Sequence, residues 1–430
     1  MSPATVLTKR ESDANPQLKT ASVAWVAASL FYFYQYALRS APSVMMPQLS
    51  DAFGLSAAAV ASIVGLFYYG YSPFSLVAGA GMDRFGPERI LPLAAIVTGL
   101  GALLFAIGNT PAGSIGRLLQ GAGGGFASVG AIYIASTRFP PSWAATLVGA
   151  TQMFGMAGGA AGQFVVGPLI ARNLAWNHFW IAIGVIGLGI GFLLFFLLPK
   201  NNVAEQRQNG SKNAVGAFLS VIRNPQSILC GLIAGLLFIP TTIFDMVWGV
   251  RYLQDAHGLD YASAVMHTAT VPLGWIIGSP LWGFLSDRIG RRKPVIAGGA
   301  ALLFACLGWI LFGKIGVFPP YMIGLVAGIA SGVAMVPYSV IKEINLPQYG
   351  GMATGVLGFL NFMFSALVGP IFGWILHRVA GGSSLLEQRH YQVAFAPLLL
   401  GVGAAIALTL LLVETGTATR QPLSTQEARP

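Results

Sequence analysis

Long hydrophobic runs alternate with short polar stretches along the chain. The first apolar run covers residues 21–47, and eleven more runs of spanning length follow it. They cover residues 56–82, 90–108, 112–137, 143–170, 177–198, 227–253, 261–286, 294–313, 317–341, 350–377 and 392–413. A helix of about 20 apolar residues crosses a bilayer, whereas the strands of a membrane barrel alternate over about ten residues. The pattern therefore predicts an all-α membrane protein with twelve transmembrane helices.

The composition agrees with lipid as the main solvent of the chain. Of the 430 residues, 55% are hydrophobic and 9% are charged, while a soluble domain carries about 25% charged residues. Cys230 and Cys306 both lie inside apolar runs, which favours small buried side chains over a disulfide or a metal site. We find no metalloprotease motif, nucleotide loop or nucleophile elbow. The sequence thus predicts no enzyme activity, no metal and no cofactor.

The basic residues are distributed unevenly between the loops. With the amino terminus inside, seventeen of the 24 Lys and Arg residues fall on the cytoplasmic side and four on the outer side. Arg39, Arg117 and Arg251 lie within or at the edge of predicted helices. Because loops rich in Lys and Arg stay in the cytoplasm, we expect cytoplasmic termini and a location in a bacterial inner membrane. The net charge of +10 then reflects topology, and we expect no nucleic-acid partner.

The two halves of the chain carry related segments. Residues 49–55 (LSDAFGL) recur as residues 253–259 (LQDAHGL), an offset of 204. The polar stretch PKNNVAEQRQNGSKN at residues 199–213 lies near the midpoint and is typical of a linker. With six helices in each half, the second copy has the orientation of the first. We predict a cytoplasmic tail, a bundle, a cytoplasmic linker, a second bundle and a cytoplasmic tail, which cover residues 1–20, 21–198, 199–226, 227–413 and 414–430.

A second repeated segment resembles the signature of a known family. Residues 79–89 (GAGMDRFGPER) and 283–293 (GFLSDRIGRRK) each follow the second helix of a half. Both resemble the loop signature of the major facilitator superfamily, and the resemblance covers the chain from the first helix to the twelfth. It implies a monomeric secondary transporter whose halves rock about a central site. It also implies a small-molecule substrate and a proton gradient or another ion gradient.

Charged residues near the repeated loops are candidates for a cytoplasmic gate. An aspartate in such a loop can hold a basic residue across the contact between the halves, which makes Asp83, Arg84, Asp287 and Arg288 the candidates. Arg138, Lys342 and Glu343 are candidate partners at helix ends that are predicted to be cytoplasmic. The alternatives are that the basic residues only set topology, and that Lys342 and Glu343 form a solvated ion pair of little energetic value.

Arg39 is the leading candidate for a substrate-binding residue. A charge at bilayer depth costs about 2.5–3.5 kcal/mol on insertion scales, so an intramembrane arginine suggests function. The spacing Arg39-x7-Pro47 resembles the first helix of organic-anion and sugar-phosphate-permease-like members, where that arginine holds an anionic group. We expect the candidate binding set to be Arg39, Gln35, Tyr32, Tyr36, Gln152 and Asn361. The alternative is an Arg39–Asp245 ion pair that only ties two helices together.

The second half constrains the class of substrate. The organophosphate members carry another arginine on helix 7, and alignment places Thr242 at that position. One arginine suits one carboxylate better than a phosphate ester. We therefore predict transport of a small anionic or zwitterionic solute: a monocarboxylate, a sugar acid or an amino acid.

Three residues are candidates for ion coupling. Asp245 is the only acid well inside a predicted helix, and Pro240 is expected to break the helix beside it. Arg117 resembles the family's arginine on helix 4, although it could instead extend to the interface. His267 could titrate, or simply pack between helices. Two other functions remain open, namely drug or metabolite efflux and a transporter-like sensor that binds without transporting.

Overall fold

The structure is a computed structural model that describes residues 3–139, 141–172, 174–198, 214–313, 320–346, 349–381 and 386–416. In these ranges the chain forms helices and no strands. Twelve long helical segments are labelled here in chain order: α1 Pro3–Ser40, α2 Ala57–Phe85, α3 Pro87–Phe105, α4 Thr110–Arg138, α5 Pro141–Phe164, α6 Trp176–Leu197, α7 Pro225–His257, α8 Tyr261–Ile289, α9 Lys293–Phe312, α10 Tyr321–Glu343, α11 Gly350–Val379 and α12 Gln388–Leu411. The predicted fold class is confirmed.

Ten of the described helices are long and apolar enough to cross a membrane. The other two long helices are α1 and α8. Both carry buried polar side chains: α1 carries Gln35 and Arg39, and α8 carries His267, Thr268 and Thr270. The two helices with the weakest hydrophobic signal thus hold several of the predicted functional residues.

The chain divides into two units, Met1–Ala214 and Val215–Pro430. Within the first unit, α1 packs on α5, α2 on α4, and α3 on both α4 and α6. Within the second unit, α7 packs on α11, α8 on α10, and α9 on both α10 and α12. Each unit therefore repeats the same pairing of its six helices. The predicted linker lies largely outside the described residues, but its last part forms the helix Ala214–Arg223.

Glycines with positive φ recur at equivalent positions of the two units. Gly54 and Gly258 both lie in the left-handed region, with φ of 62° and 64°, and each ends a helix. Gly86 and Gly290 follow α2 and α8 with φ of 77° and 69°. L residues other than glycine rarely adopt positive φ, so the chain requires glycine at these turns. Both pairs are separated by 204 residues, which is the offset of the sequence repeat.

Small residues bring α1 and α5 into close contact. A Cβ atom at Gly158 would collide with the backbone oxygen of Phe33. At Gly155 it would meet the ring of Tyr32, 2.5 Å from Cε1. Close backbone contact of this kind is a common way for membrane helices to associate.

Departures from regular α geometry occur beside both predicted functional regions, at the end of α1 and within α7. After Ser40 the chain tightens into a 3₁₀ turn, Ala41–Val44, before the short helix Met46–Phe53. In α7 the segment Thr241–Trp248, directly after Pro240, is wound as a π-helix. Proline has no N–H for the α-helical ladder, and π-helical turns are frequent at functional sites. The predicted break beside Asp245 is therefore present, as a widened helix rather than a kink.

Candidate functional site

Arg39 lies in an aromatic cage inside the first unit. Its side chain is 1% exposed, and its Nε donates a hydrogen bond to the Tyr68 hydroxyl at 3.3 Å. Its Cζ lies 4.6 Å from the ring centroid of Tyr36, 5.1 Å from that of Tyr68 and 5.9 Å from that of Phe67. Aromatic faces carry partial negative charge and attract a cation, more strongly where water is excluded. Residues of α1 and α2 thus hold a buried guanidinium in a defined place.

Tyr32, Gln35 and Tyr36 lie along the same face of α1 as Arg39, and Gln152 faces them from α5. The Tyr32 hydroxyl donates to Gln152 Oε1 at 3.3 Å, which connects α1 to α5. The rings of Tyr32 and Tyr36 meet edge to face with centroids 5.0 Å apart. Gln35 is fully buried, and neither atom of its amide has a hydrogen-bond partner among the described residues. A buried amide usually has a partner, so Gln35 is well suited to contact a polar ligand.

Arg117 is held by contacts with α2 and with its own helix, α4. Its Nε donates to the Val64 carbonyl at 3.1 Å, and its Nη1 donates to Gln120 Oε1 at 2.6 Å. Its Cζ lies 5.1 Å from the ring centroid of Phe67, the ring that also lies beside Arg39. The side chain is 1% exposed. These contacts direct the guanidinium into the bundle, which argues against the alternative that it extends to the interface.

The second unit buries a carboxylate and several hydroxyls. Asp245 is 1% exposed in the π-helical part of α7. With Thr241 and Phe244 of α7 it lines a small cavity that is completed by α8, α9 and α10, including Ser331. Thr241 accepts a hydrogen bond from Trp275 Nε1 at 3.0 Å. Asp245 is therefore placed among helices of its own unit.

Thr242 on α7 and Asn361 on α11 are the residues of the second unit that bear on the predicted substrate class. The hydroxyls of Thr242 and Ser365 are 2.9 Å apart, and both side chains are buried. A hydroxyl pair at this position cannot supply a second positive charge for a doubly charged phosphate. Asn361 on α11 is 1% exposed, and its Oδ1 has no hydrogen-bond partner in the described part of the chain. It is the predicted binding residue that the second unit contributes.

His267 is fully buried in α8. Neither of its ring nitrogens has a hydrogen-bond partner among the described residues. The backbone carbonyl of His267 lies where a Cβ at Gly324 would collide with it, so this part of α8 is in close contact with α10. The location agrees with a histidine that packs between helices. Both ring nitrogens are also positioned so that they could bind a proton or a ligand.

Arg292 connects the charged residues at the end of the second unit that is predicted to face the cytoplasm. Its Nη1 donates to Asp287 Oδ1 at 2.6 Å and to the Ser286 hydroxyl at 2.9 Å. Its Nη2 donates to Glu343 Oε1 at 2.7 Å. The hydrogen bonds to Glu343 raise the pKa of Arg292 above its ordinary value, so the guanidinium stays charged. One arginine thus joins the ends of α8 and α10.

Sequence reasoning did not select Arg292 as a gate residue, because a basic loop residue is explained by topology alone. The signal that could have found it is its position five residues after Asp287 in the repeated loop. Glu414, after α12, also contacts this site: its Oε1 accepts from the backbone N–H of Arg292 at 2.6 Å and of Lys293 at 3.2 Å. The carboxylate thereby satisfies N–H groups at the start of α9.

The remaining gate candidates are less informative. The side chains of Asp83 and Arg84 lie outside the described residues. Arg288 and Lys342 are exposed, and Arg138 is half-buried at the end of α4. The contacts at Arg292 therefore give the clearest geometry for the predicted gate.

Comparisons with known proteins agree with this architecture. The sequence model of the Major Facilitator Superfamily matches residues 28–370. The chain is 24% identical to a probable sulfoacetate transporter, SauU, of Cupriavidus necator, over 91% of this chain and 94% of that protein. It is 29% identical to a hexuronate transporter of Bacillus subtilis, over 71% of this chain and 73% of that protein. The solved structure of the nucleoside transporter NupG covers 90% of this chain with a TM-score of 0.70 at 15% identity, which shows a common fold.

Proposed function

The chain belongs to the Major Facilitator Superfamily, and we propose that it is a secondary active transporter that carries a small organic anion across the membrane by alternating access. The observation that carries this proposal is the environment of Arg39. The guanidinium is 1% exposed. Burying a charge on a membrane helix costs free energy, so residues of this kind usually have a function. The planar fork of Arg39 matches the two oxygens of a carboxylate.

The polar residues around Arg39 favour a small hydroxylated acid. Gln35 has both amide atoms without a described partner, and Tyr32 and Gln152 present a hydroxyl and an amide to one another. Such groups hydrogen-bond to the hydroxyls of a sugar acid. Two of the similar proteins are described as carrying sulfoacetate and hexuronate, both acidic organic solutes. We therefore propose a sugar acid or another small carboxylate, with an amino acid as the zwitterionic candidate.

We propose that transport is coupled to protons, with Asp245 of the second unit as the leading coupling residue. Asp245 is a buried acid in a widened helix, and a carboxylate there can take up and release a proton as the protein changes conformation. His267, with neither ring nitrogen partnered among the described residues, and Arg117 are the other coupling candidates. We place the protein in a bacterial inner membrane as a monomer with both termini in the cytoplasm. The gate includes the cluster around Arg292.

Uptake into proteoliposomes tests this function. D-glucuronate, sulfoacetate, L-lactate and L-alanine would be supplied with and without an imposed pH gradient. We expect uptake of at least one acid, accumulation only with the gradient, and loss of both in Arg39→Ala. Uptake of none of the three acids, or unchanged uptake in Arg39→Ala, would contradict the proposal.

The same assay separates the other functions that the sequence left open. A sensor would bind one of the acids with no flux in either direction. An efflux protein would move hydrophobic cations such as ethidium, and this movement would not require Arg39. Either result would replace the proposed function.

A further inference from the structure

Tyr68 is the neighbour of Arg39 that orients its guanidinium. Tyr68 lies on α2 and is 2% exposed. Its hydroxyl accepts from Arg39 Nε at 3.3 Å, while its ring centroid lies 5.1 Å from Arg39 Cζ. The same side chain therefore contacts the arginine by a directional hydrogen bond and by its ring. The ring of Tyr36 at 4.6 Å has no such directional bond to Arg39 among those described.

The bond to Nε determines which edge of the guanidinium faces a ligand. A carboxylate can bind an arginine side-on, through Nε and one Nη, or end-on, through both Nη atoms. The Tyr68 hydroxyl occupies the position that a side-on carboxylate oxygen would take. The end-on edge, formed by Nη1 and Nη2, is then the edge that presents a fork to a carboxylate.

Tyr68 is itself held by a rigid surrounding. Its ring packs edge to face on the ring of Phe67, with centroids 5.5 Å apart, and Phe67 stacks on Tyr71 at 5.6 Å. The backbone oxygen of Phe67 lies where a Cβ at Gly121 would collide with it, so α2 and α4 are in close contact here. Binding groups are most selective when neighbouring residues fix their orientation in this way.

We propose that Tyr68 is a positioning residue that holds Arg39 for end-on recognition of a carboxylate and so contributes to the preference for acids over their neutral analogues. This inference rests on the proposed function of Arg39 as the anion-binding residue. Tyr68 acts through Arg39 and need not contact the substrate.

The variant Tyr68→Phe removes the hydroxyl and keeps the ring. The dissociation constants of D-glucuronate and its neutral amide, D-glucuronamide, would be measured on the purified full-length protein by isothermal titration calorimetry. Loss of one hydrogen bond that fixes the charged group should weaken D-glucuronate binding about three- to tenfold. Binding of the amide should change less, so the ratio between the two ligands should fall. A hydroxyl with only a structural role would weaken both ligands alike.

The matched control is Tyr34→Phe. Tyr34 also lies buried in the first unit, but its hydroxyl donates to the backbone carbonyl of Ile183 at 2.9 Å. Its removal should leave the ratio between the two ligands unchanged. Equal loss of discrimination in Tyr34→Phe and Tyr68→Phe would overturn the positioning role.

A double-mutant cycle tests whether Tyr68 acts through Arg39. The ammonium of Arg39→Lys has neither Nε nor a planar fork. Tyr68→Phe should therefore add no further loss of D-glucuronate affinity in the Arg39→Lys background, whereas independent effects would multiply. Multiplying effects would overturn the inference.

Arg39→Gln separates this inference from the function on which it rests. If Arg39→Gln binds D-glucuronate normally, anion binding by Arg39 is wrong, and so is the role of Tyr68. If Arg39→Gln abolishes binding while Tyr68→Phe matches the wild type, only the positioning role is wrong. If the wild type binds neither D-glucuronate nor sulfoacetate, the proposed substrate class fails and the inference fails with it.

Discussion

The two six-helix units share a scaffold but bury opposite charges. Each repeats the same helix pairing, with glycines of positive φ at equivalent turns. The first unit buries Arg39 of α1 and Arg117 of α4, and both guanidinium groups lie near the ring of Phe67 on α2. The second unit buries Asp245, among apolar side chains and hydroxyls. The repeat thus preserves the packing positions, while the ionisable residues have diverged.

The backbone differs where the buried charges differ. At the offset of 204, the 3₁₀ turn Ala41–Val44 of the first unit corresponds to residues 245–248, within the π-helix of α7. A 3₁₀ turn narrows a helix and a π-helix widens it. At the same offset Arg39 corresponds to Ile243, a buried and uncharged residue that is 2% exposed. We infer that the leading anion-binding residue, Arg39, belongs to the first unit and the leading coupling residue, Asp245, to the second.

Removing Arg39 should break this division most severely. We expect Arg39→Ala to abolish binding of the acidic substrate and Arg39→Lys to weaken it by about 1.5–3 kcal/mol, the range for a hydrogen bond to a charged group. Binding would be measured by calorimetry on the purified protein. The matched control is Ile243→Val at the equivalent position of the second unit, which should leave affinity unchanged. Wild-type affinity in Arg39→Ala would refute the role of the first unit.

The helical segments could be predicted from the sequence because burial in lipid requires long apolar runs. The described helices begin and end within a few residues of most predicted runs, whereas the π-helix could not be placed from periodicity alone. Within the stretch Phe67–Tyr71 the sequence does not show which tyrosine contacts Arg39. Tyr68 is buried beside it and Tyr69 is 41% exposed, a distinction that depends on how α1 and α2 pack. Arg292 was missed for a similar reason, since its acidic partners lie on two different helices.

Asp245→Asn tests the division from the second unit. The amide resembles the protonated acid and cannot release a proton, so we expect exchange of substrate to persist while accumulation driven by a pH gradient is lost. Counterflow and gradient-driven uptake in proteoliposomes measure the two separately. Loss of both would favour a structural role instead.

The ion-pair alternative for Asp245 has its own signature. If Asp245 only neutralises Arg39, the double variant Arg39→Gln/Asp245→Asn should recover the thermal stability that each single variant loses, because neither charge is left buried alone. If the two residues have separate functions, stability losses should add and substrate binding should fail in the double variant. Thermal denaturation of all four proteins distinguishes these outcomes.

The cluster around Arg292 should give a smaller effect. The side chain of Glu343 is 20% exposed and that of Asp287 is 72% exposed, and exposed ion pairs contribute about 0–1 kcal/mol. We therefore expect Glu343→Gln to slow transport severalfold. Asp287→Asn should slow transport less, and this difference from the wild type should disappear in high salt. Initial uptake rates at low and high ionic strength measure both. A larger effect of Asp287→Asn would show that contacts other than Arg292 control the gate.

The smallest effect on transport should come from the turn glycines that the two units share. A Cβ added at Gly54 or at Gly258 would meet nothing within 4 Å, so alanine at either position is opposed only by the positive φ of 62° or 64°. That conformation costs an L residue about 1–2 kcal/mol. Gly54→Ala and Gly258→Ala should therefore lower the free energy of unfolding by equal amounts, with substrate affinity unchanged. Because asparagine tolerates the left-handed region better than alanine, Gly→Asn should cost less at both positions. Unequal losses in denaturant titrations would mean that the equivalence of the two units does not extend to these turns.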